Sequence, residues 1–383
     1  MDLLLYIATS YILFTLFVFI RNWLEFRSLR HQKPSVSTTE EAMPLVSICI
    51  PARNEEAVIE RCVTSALKQT YPNFEVLVLD DNSTDKTTEI LKDLSEIIHN
   101  VHTISGKEKP GDWLGKPWAC HQLSEHAKGE FLVFIDADVW LEEEAIAKAV
   151  NSLRQSDTIT VWPKQRVVTF WEKMIIPMIY LGLYTLLPAK YVAQHPFWLP
   201  RSLRQKFAPA FAAACGQFIA FNREAYDTIG GHASVRQEIV EDVELARQIK
   251  INGLTLTMYD GVDTVNCRMY HNHHELFEGL RKNFFVGFGR NLPLFLFMAA
   301  MQIIVFVIPF VALAIGSPQE KMIAGILIAI FLMQRWLLDL KFKWNPFISL
   351  LQPVTILWYE VLGIRCVWDH YTGKKATWKG RDV

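Results

Sequence analysis

Apolar and polar positions change rhythm several times along this chain. Residues 3–20 carry no charge and form one apolar run, long enough as a helix to cross a hydrocarbon core needing about 20 residues. From residue 46 onward, short apolar runs alternate with stretches of helical period. Residues 46–50 predict a strand. In residues 55–69, Val58, Ile59, Cys62, Val63, Ala66 and Leu67 share one stripe, with Asn54 available as N-cap. The pattern repeats as strand 74–79 with helix 85–98, strand 101–105 with helix 117–127, and strand 131–135 with helix 142–155. Such alternation predicts an α/β domain, with a mostly parallel sheet covered by helices on both faces. Apolar runs return at 294–315 and, after the turn 316–321, at 322–340, broken only by Arg335 and Asp339. Their i,i+4 spacing on one helical face lets them pair or snorkel.

This pattern divides the chain into a transmembrane anchor (1–21), a linker (22–44), an α/β catalytic domain (45–265), a membrane-proximal segment (266–291), two to three C-terminal transmembrane helices (292–368) and a basic tail (369–383). Arg21, Arg27, Arg30 and Lys33 follow the first apolar run, whereas a cleaved signal carries its positive charge before it, so the run reads as an uncleaved anchor. Lys and Arg favour the cytoplasmic side, which places the middle of the chain in the cytoplasm. Three full C-terminal crossings would leave Lys374, Lys375, Lys379 and Arg381 outside. The segment 347–368, interrupted by Pro353 and Glu360, is therefore expected to be re-entrant or interfacial. Residues 171–204 mix Trp198, Tyr180, Tyr184 and Tyr191 with Lys190, Arg201 and Arg204 among four prolines. A membrane-interface insertion within 171–210 is the expectation, a buried core helix the alternative.

Composition narrows the function. The 39 basic and 40 acidic side chains give no basic surplus, which argues against a nucleic-acid partner. Six cysteines lie scattered without CxxC spacing, so neither a zinc site nor a disulfide framework is indicated, and a reducing compartment fits. No GxGxxG or GxxxxGK[ST] turn is present to hold phosphates.

Ligands of open α/β sheets bind at the carboxyl ends of strands, and here three such ends are acidic. Pro51-Ala-Arg53-Asn54-Glu55-Glu56 follows the first strand, Asp80-Asp81-Asn82-Ser83-Thr84-Asp85 the second and Asp136-Ala-Asp138 the fourth. Helix capping is the alternative for Asn54 and Ser83 to Asp85. It accounts poorly for Asp136 and Asp138, whose paired oxygens suit Mg²⁺ or Mn²⁺ holding a diphosphate.

In combination with Gly115-Lys116 and Glu241-Asp242, these motifs resemble the inverting glycosyltransferases of family 2, with the GT-A fold, over roughly residues 46–283. The resemblance implies that Glu55 and Asp81, with Asp80 alongside and Pro51 and Arg53 in the same loops, hold the nucleotide of a UDP-sugar. Lys116 would sit near the nucleotide, Asp136 near the ribose or sugar, and Asp138 at the metal. Asp242 would be the catalytic base, in the first turn of a helix over 241–252 with Glu241 beside it. Stabilisation by the helix dipole is the alternative for Asp242. Gly230-Gly231-His232 would form a flexible acceptor-side loop, with a surface histidine as the alternative.

Gly115-Lys-Pro-Trp-Ala-Cys120, Gly230-Gly-His232, Cys267-Arg268-Met-Tyr270, Glu278-Gly-Leu-Arg-Lys-Asn283 and Trp378-Lys-Gly-Arg381 resemble a narrower group. These are membrane glycosyltransferases associated with carotenoid and hopanoid lipids, the diaponeurosporenoate glycosyltransferases among them. That likeness implies a membrane lipid acceptor. Processive polysaccharide synthases of the family carry Gln-x-x-Arg-Trp, and aligning on Arg268 puts Val265 and Met269 at its Gln and Trp positions. Arg268 would meet the diphosphate or form a structural salt bridge. A processive synthase is the runner-up, followed by a non-catalytic scaffold and a nucleotidyltransferase. His271, His273 and His274 have no chelating spacing and read as a polar turn.

Overall fold

The computed structural model describes residues 1–35, 43–97, 100–374, 377–378 and 381–382. Residues 36–42 of the expected linker, and Lys375 and Lys379 of the basic tail, lie outside the described residues. The chain divides into two units.

One unit comprises residues 26–166 and 189–268. At its centre is a sheet of β1 (Val46–Ala52), β2 (Phe74–Asp80), β3 (Val101–Ser105), β4 (Phe131–Ile135), β5 (Val139–Leu141), β6 (Thr158–Gln165), β7 (Phe218–Asn222) and β8 (Leu256–Cys267), in the order β3-β2-β1-β4-β7-β6-β8-β5. The four strands expected from sequence form one parallel half, β3-β2-β1-β4. β4 then pairs antiparallel with β7, and β5 antiparallel with β8, giving a mostly parallel mixed sheet. The inner strands β1 and β4 and the middle of β2 are largely apolar because both faces are covered, with Ile48, Val76, Val78, Val133 and Ile135 fully buried, whereas the edge strand β3 is polar and mostly exposed. Helix Ile59–Leu67 buries the expected stripe of Ile59, Cys62, Val63 and Ala66. β5 to β8 went unpredicted because their signals lie in polar or interrupted stretches. β6 contains Pro163 at a register shift, and β8 carries Asp260, Asp263 and Asn266.

The second unit comprises residues 1–25, 167–188 and 269–383. Among its described residues, four helical stretches are long and apolar enough to cross a membrane: Asp2–Glu25, Leu292–Ile315, Pro318–Lys341 and Pro346–Thr372. Leu5, Ala8 and Ile12 pack with Val305, Ala312, Ala324, Leu327 and Phe331 in one apolar core. The expected pair forms: Arg335 Nε donates to Asp339 Oδ1 at 2.9 Å, and both side chains are buried. Most of the segment 347–368, expected to be re-entrant or interfacial, lies in one continuous helix, Gln352–Thr372. Pro353 falls in its first turn, where a missing N–H breaks no helical bond, so the proline starts this helix instead of interrupting it. Phe170–Leu186, the first half of the expected interface insertion, belongs to this unit as a helix burying Tyr180 and Tyr184, and Tyr184 O accepts from Asn22. His273 opens helix His273–Phe284, with its ring 4.4 Å from that of Trp171, and its Nε2 accepts from Trp358 Nε1 at 3.0 Å.

Candidate active site

The loops after β1 and β2 are knitted together by the side chains the motifs supply. Asn54 and Asn82 have φ of 52° and 56°, left-handed conformations that asparagine tolerates better than most residues. Asn54 Oδ1 accepts from Thr84 N at 2.8 Å, while Asn54 N donates to Ser83 Oγ at 3.0 Å. Glu55 N donates to Thr87 Oγ1 and Glu56 N to Asp85 Oδ2. Arg53 Nη1 donates to the carbonyls of Asp81 and Asn82 at 2.5 and 2.9 Å. The Asp80 carboxylate accepts from Ser83 N at 2.9 Å and from the Thr88 hydroxyl. Arg53 and Asp80 therefore build the loop that presents the neighbouring Glu55, Pro51 and buried Asp81.

Lys116, in the first turn of helix Gly115–His126, ties the site together. Its Nζ lies 2.7 Å from Asp136 Oδ1 and 3.0 Å from Glu241 Oε1, joining the end of β4 to the first turn of helix Glu241–Ile251. Asp242, the next residue, receives Gly216 N on Oδ2 at 2.7 Å and Val243 N on Oδ1 at 2.9 Å. Burial pushes the Asp242 carboxyl up to about 6 and Glu241 adds to this, against the opposing pull of Lys116 and the two backbone N–H groups. A carboxylate poised near neutrality is suited to accept a proton. Gly216 is small of necessity: a Cβ there would stand 3.1 Å from Lys116 Nζ and 3.3 Å from Asp242 Oδ2. The same pocket is lined by Pro51, Cys120, Phe134 and His232.

His232 is not a surface residue; it is 2% exposed. Its backbone N–H donates to the Tyr226 hydroxyl at 3.1 Å, and that hydroxyl lies 2.8 Å from His232 Nδ1. The hydroxyl thus holds both the backbone and the ring of His232, and the direction of its bond to Nδ1 depends on the imidazole tautomer. Burial drives the imidazole down to about 3, so it is neutral. Gly230 and Gly231 take positive φ of 75° and 51°, and a Cβ on Gly231 would fall 2.4 Å from the Tyr226 ring. Gly231–Val235 is a packed helical turn. The roles of Gly216 and Tyr226 were not legible in the sequence, since each acts through a partner 26 or 6 residues away.

The two carboxylates of Asp136-Ala-Asp138 differ in their surroundings. Asp136 is engaged by Lys116, and Asp138 stands two residues on, just before β5. Among the described residues, no group of three His, Cys, Asp or Glu gathers to hold a metal. One carboxylate still fits Mg²⁺ or Mn²⁺, which bind through one or two carboxylates together with phosphate oxygens and water. Asp138 O accepts from Arg268 N at 3.3 Å, which brings Arg268 to the same strand end.

Residues 47–230 match the model of glycosyl transferase family 2. A 4,4'-diaponeurosporenoate glycosyltransferase of Staphylococcus aureus strain USA300 is 28% identical over 258 residues, 65% of this chain. That match spans 63% of the relative's length. The enzyme of the same name from strain MRSA252 is 24% identical over 350 residues, 88% of this chain and 87% of the relative. Among solved structures, the mannosyltransferase PcManGT from Pyrobaculum calidifontis, in complex with GDP-Man and Mn²⁺, superposes with a TM-score of 0.56 at 19% identity. The match covers 96% of this chain and 99% of that one. Residues 47–230 are thus similar to family 2 glycosyltransferases, and the sheet has the GT-A fold of the solved mannosyltransferase.

Proposed function

We propose that this protein is a family 2 glycosyltransferase that transfers a hexose from a UDP-sugar, with inversion, to a hydroxyl group of a membrane lipid, a carotenoid or other isoprenoid or glycerolipid. The observation that carries this reading is Asp242: a carboxylate raised towards neutrality, oriented by two backbone N–H groups and set beside the ends of β1 and β4. Asp242 takes the acceptor proton while the acceptor oxygen bonds to the anomeric carbon, and the bond from that carbon to the diphosphate breaks on the opposite face. Inversion follows from this geometry. Lys116 holds Asp136 and Glu241 in place around the sugar. A Mg²⁺ or Mn²⁺ ion at Asp138 would neutralise charge on the departing diphosphate.

The candidate membrane-spanning helices, and the basic cluster Arg21, Arg27, Arg30 and Lys33 behind the first of them, support a cell-membrane protein with a cytoplasmic catalytic domain. Phe197 and Trp198, 81% and 60% exposed, lie close in sequence to Arg201, Arg204 and Lys206, a combination suited to an interface with anionic headgroups. Comparative mass spectrometry of membrane lipids with and without the gene, together with release of UDP by the purified protein, tests the proposal. A glycolipid lost with the gene is the expected result; pyrophosphate release in place of UDP would indicate a nucleotidyltransferase. A second reading, a carboxylate acceptor, is favoured by the name of the Staphylococcus aureus relatives, which specifies a carotenoid acid.

A further inference from the structure

Transfer from a nucleoside diphosphate sugar requires cations around the diphosphate, and one cation expected near the nucleotide is already committed. Lys116 contacts two carboxylates, at 2.7 and 3.0 Å, so its charge is compensated within the protein. Three arginines stand elsewhere, at the end of β5. Trp140 lies two residues beyond Asp138, and Val139 and Trp140 pair with Cys267 and Asn266 of β8. The Arg61 guanidinium, from helix Ile59–Leu67, lies 3.7 Å from the Trp140 ring centre, and that of Arg166 lies 5.8 Å from it. Arg166 N donates to Cys267 O at 2.7 Å, and Arg268 follows next in the chain. Among the described residues, neither Arg61 nor Arg166 has a carboxylate within 4.0 Å. Arg61 is pulled below the ordinary arginine range, first by burial, with Arg268 pulling the same way and Asp138 opposing. Like charges gathered around one indole, next to the metal carboxylate, are stabilised when an anion sits among them.

We infer that Arg61, stacked on Trp140, and Arg166, near the same ring, form with Arg268 a cationic clamp for the diphosphate of the nucleotide-sugar donor. The clamp rests on the reading of a nucleoside diphosphate sugar as donor. It adds to that reading a binding role for three residues, Arg61, Trp140 and Arg166, outside the motifs. The indole holds the Arg61 guanidinium plane ready, so less side-chain freedom is lost when phosphate binds.

The test is equilibrium binding by the purified full-length chain, with UDP, GDP and the corresponding free nucleosides as probes, each with Mg²⁺ and with EDTA. Arg61→Ala and Arg166→Ala should each weaken nucleoside diphosphate binding about tenfold or more, as expected for a lost charge-assisted hydrogen bond. Nucleoside binding should not change, and the loss should persist in EDTA. Arg61→Lys, which keeps charge but loses the planar fork, should fall between. An unchanged diphosphate affinity in the double alanine variant would overturn the clamp, as would an equal loss for nucleoside and diphosphate, which marks a purely structural stack. If the unmodified protein binds neither UDP nor GDP, the donor reading itself fails and the clamp with it.

Discussion

Replacing Asp242 by Asn keeps the shape of the side chain and removes its basicity, and the structure sets the scale of the outcome. General-base catalysis typically contributes about 10²- to 10⁴-fold, so the transfer rate should fall by that factor. Fold stability should change much less, because two effects oppose each other. The carboxyl is raised from 3.8 to about 6 in the folded protein, so the ionised form costs about 3 kcal/mol at pH 7, which Asn removes. In return, Asn offers one acceptor where the carboxylate served both Gly216 N and Val243 N. One N–H then loses its partner, at about 1–3 kcal/mol. The sign of the pH dependence follows. The protonated form is the more stable fold, so stability from this group is full below about pH 4 and lost as pH rises through about 6, while the base is active only above that pH. With the unmodified protein, kcat/KM should therefore drop tenfold per pH unit below about 6. In the Asn variant that limb should vanish. The assay is transfer of labelled sugar to extracted membrane lipid across pH 4.5–8.5, alongside thermal unfolding and donor binding. A near-unchanged rate in the Asn variant, with the acid limb intact, would refute base catalysis by Asp242. It would point to an acceptor that arrives already ionised, such as a carotenoid acid.

Four other outcomes follow from the same geometry. EDTA should abolish transfer and Mn²⁺ or Mg²⁺ restore it; because Asp136 is held by Lys116, calorimetry should find Mn²⁺ binding weak in the free protein and much tighter with UDP present. Lys116→Met removes a charge that holds the Asp242 carboxyl down, so the acid limb of the pH profile should move to higher pH as well as the rate falling. Gly231→Ala should lower folded yield and activity together, since its Cβ meets the Tyr226 ring at 2.4 Å and its φ is positive, whereas Gly182→Ala, with nothing within 4 Å, should leave both unchanged. Arg335→Ala strands a buried Asp339 and should cost about 3–5 kcal/mol, measured as a lowered unfolding midpoint in detergent, while replacing both residues by Leu and Met should recover most of it.

The alternating apolar runs were sufficient for the parallel half of the sheet, because strands buried on both faces leave unbroken Val, Ile, Leu and Phe runs such as 131–135. The same holds for the apolar helices and for Asp242 in a first helical turn, since length, periodicity and spacing are local properties of a chain. The order β4-β7-β6-β8-β5 was hidden, because strands such as Leu256–Cys267 take their stability from neighbours distant in sequence and not from their own pattern. Pro353 marked a helix start that the sequence could equally present as a break. Only tertiary structure decided how the charges divide. Lys116 is neutralised by Asp136 and Glu241, Asp80 and Arg53 are hydrogen-bonded within the loops after β1 and β2, His232 is buried against Tyr226, and Arg61 and Arg166 converge on Trp140. Residue types name the groups a site can use. Which of them stay available to a ligand depends on distances of a few ångströms between elements far apart in the chain, and no local pattern records those.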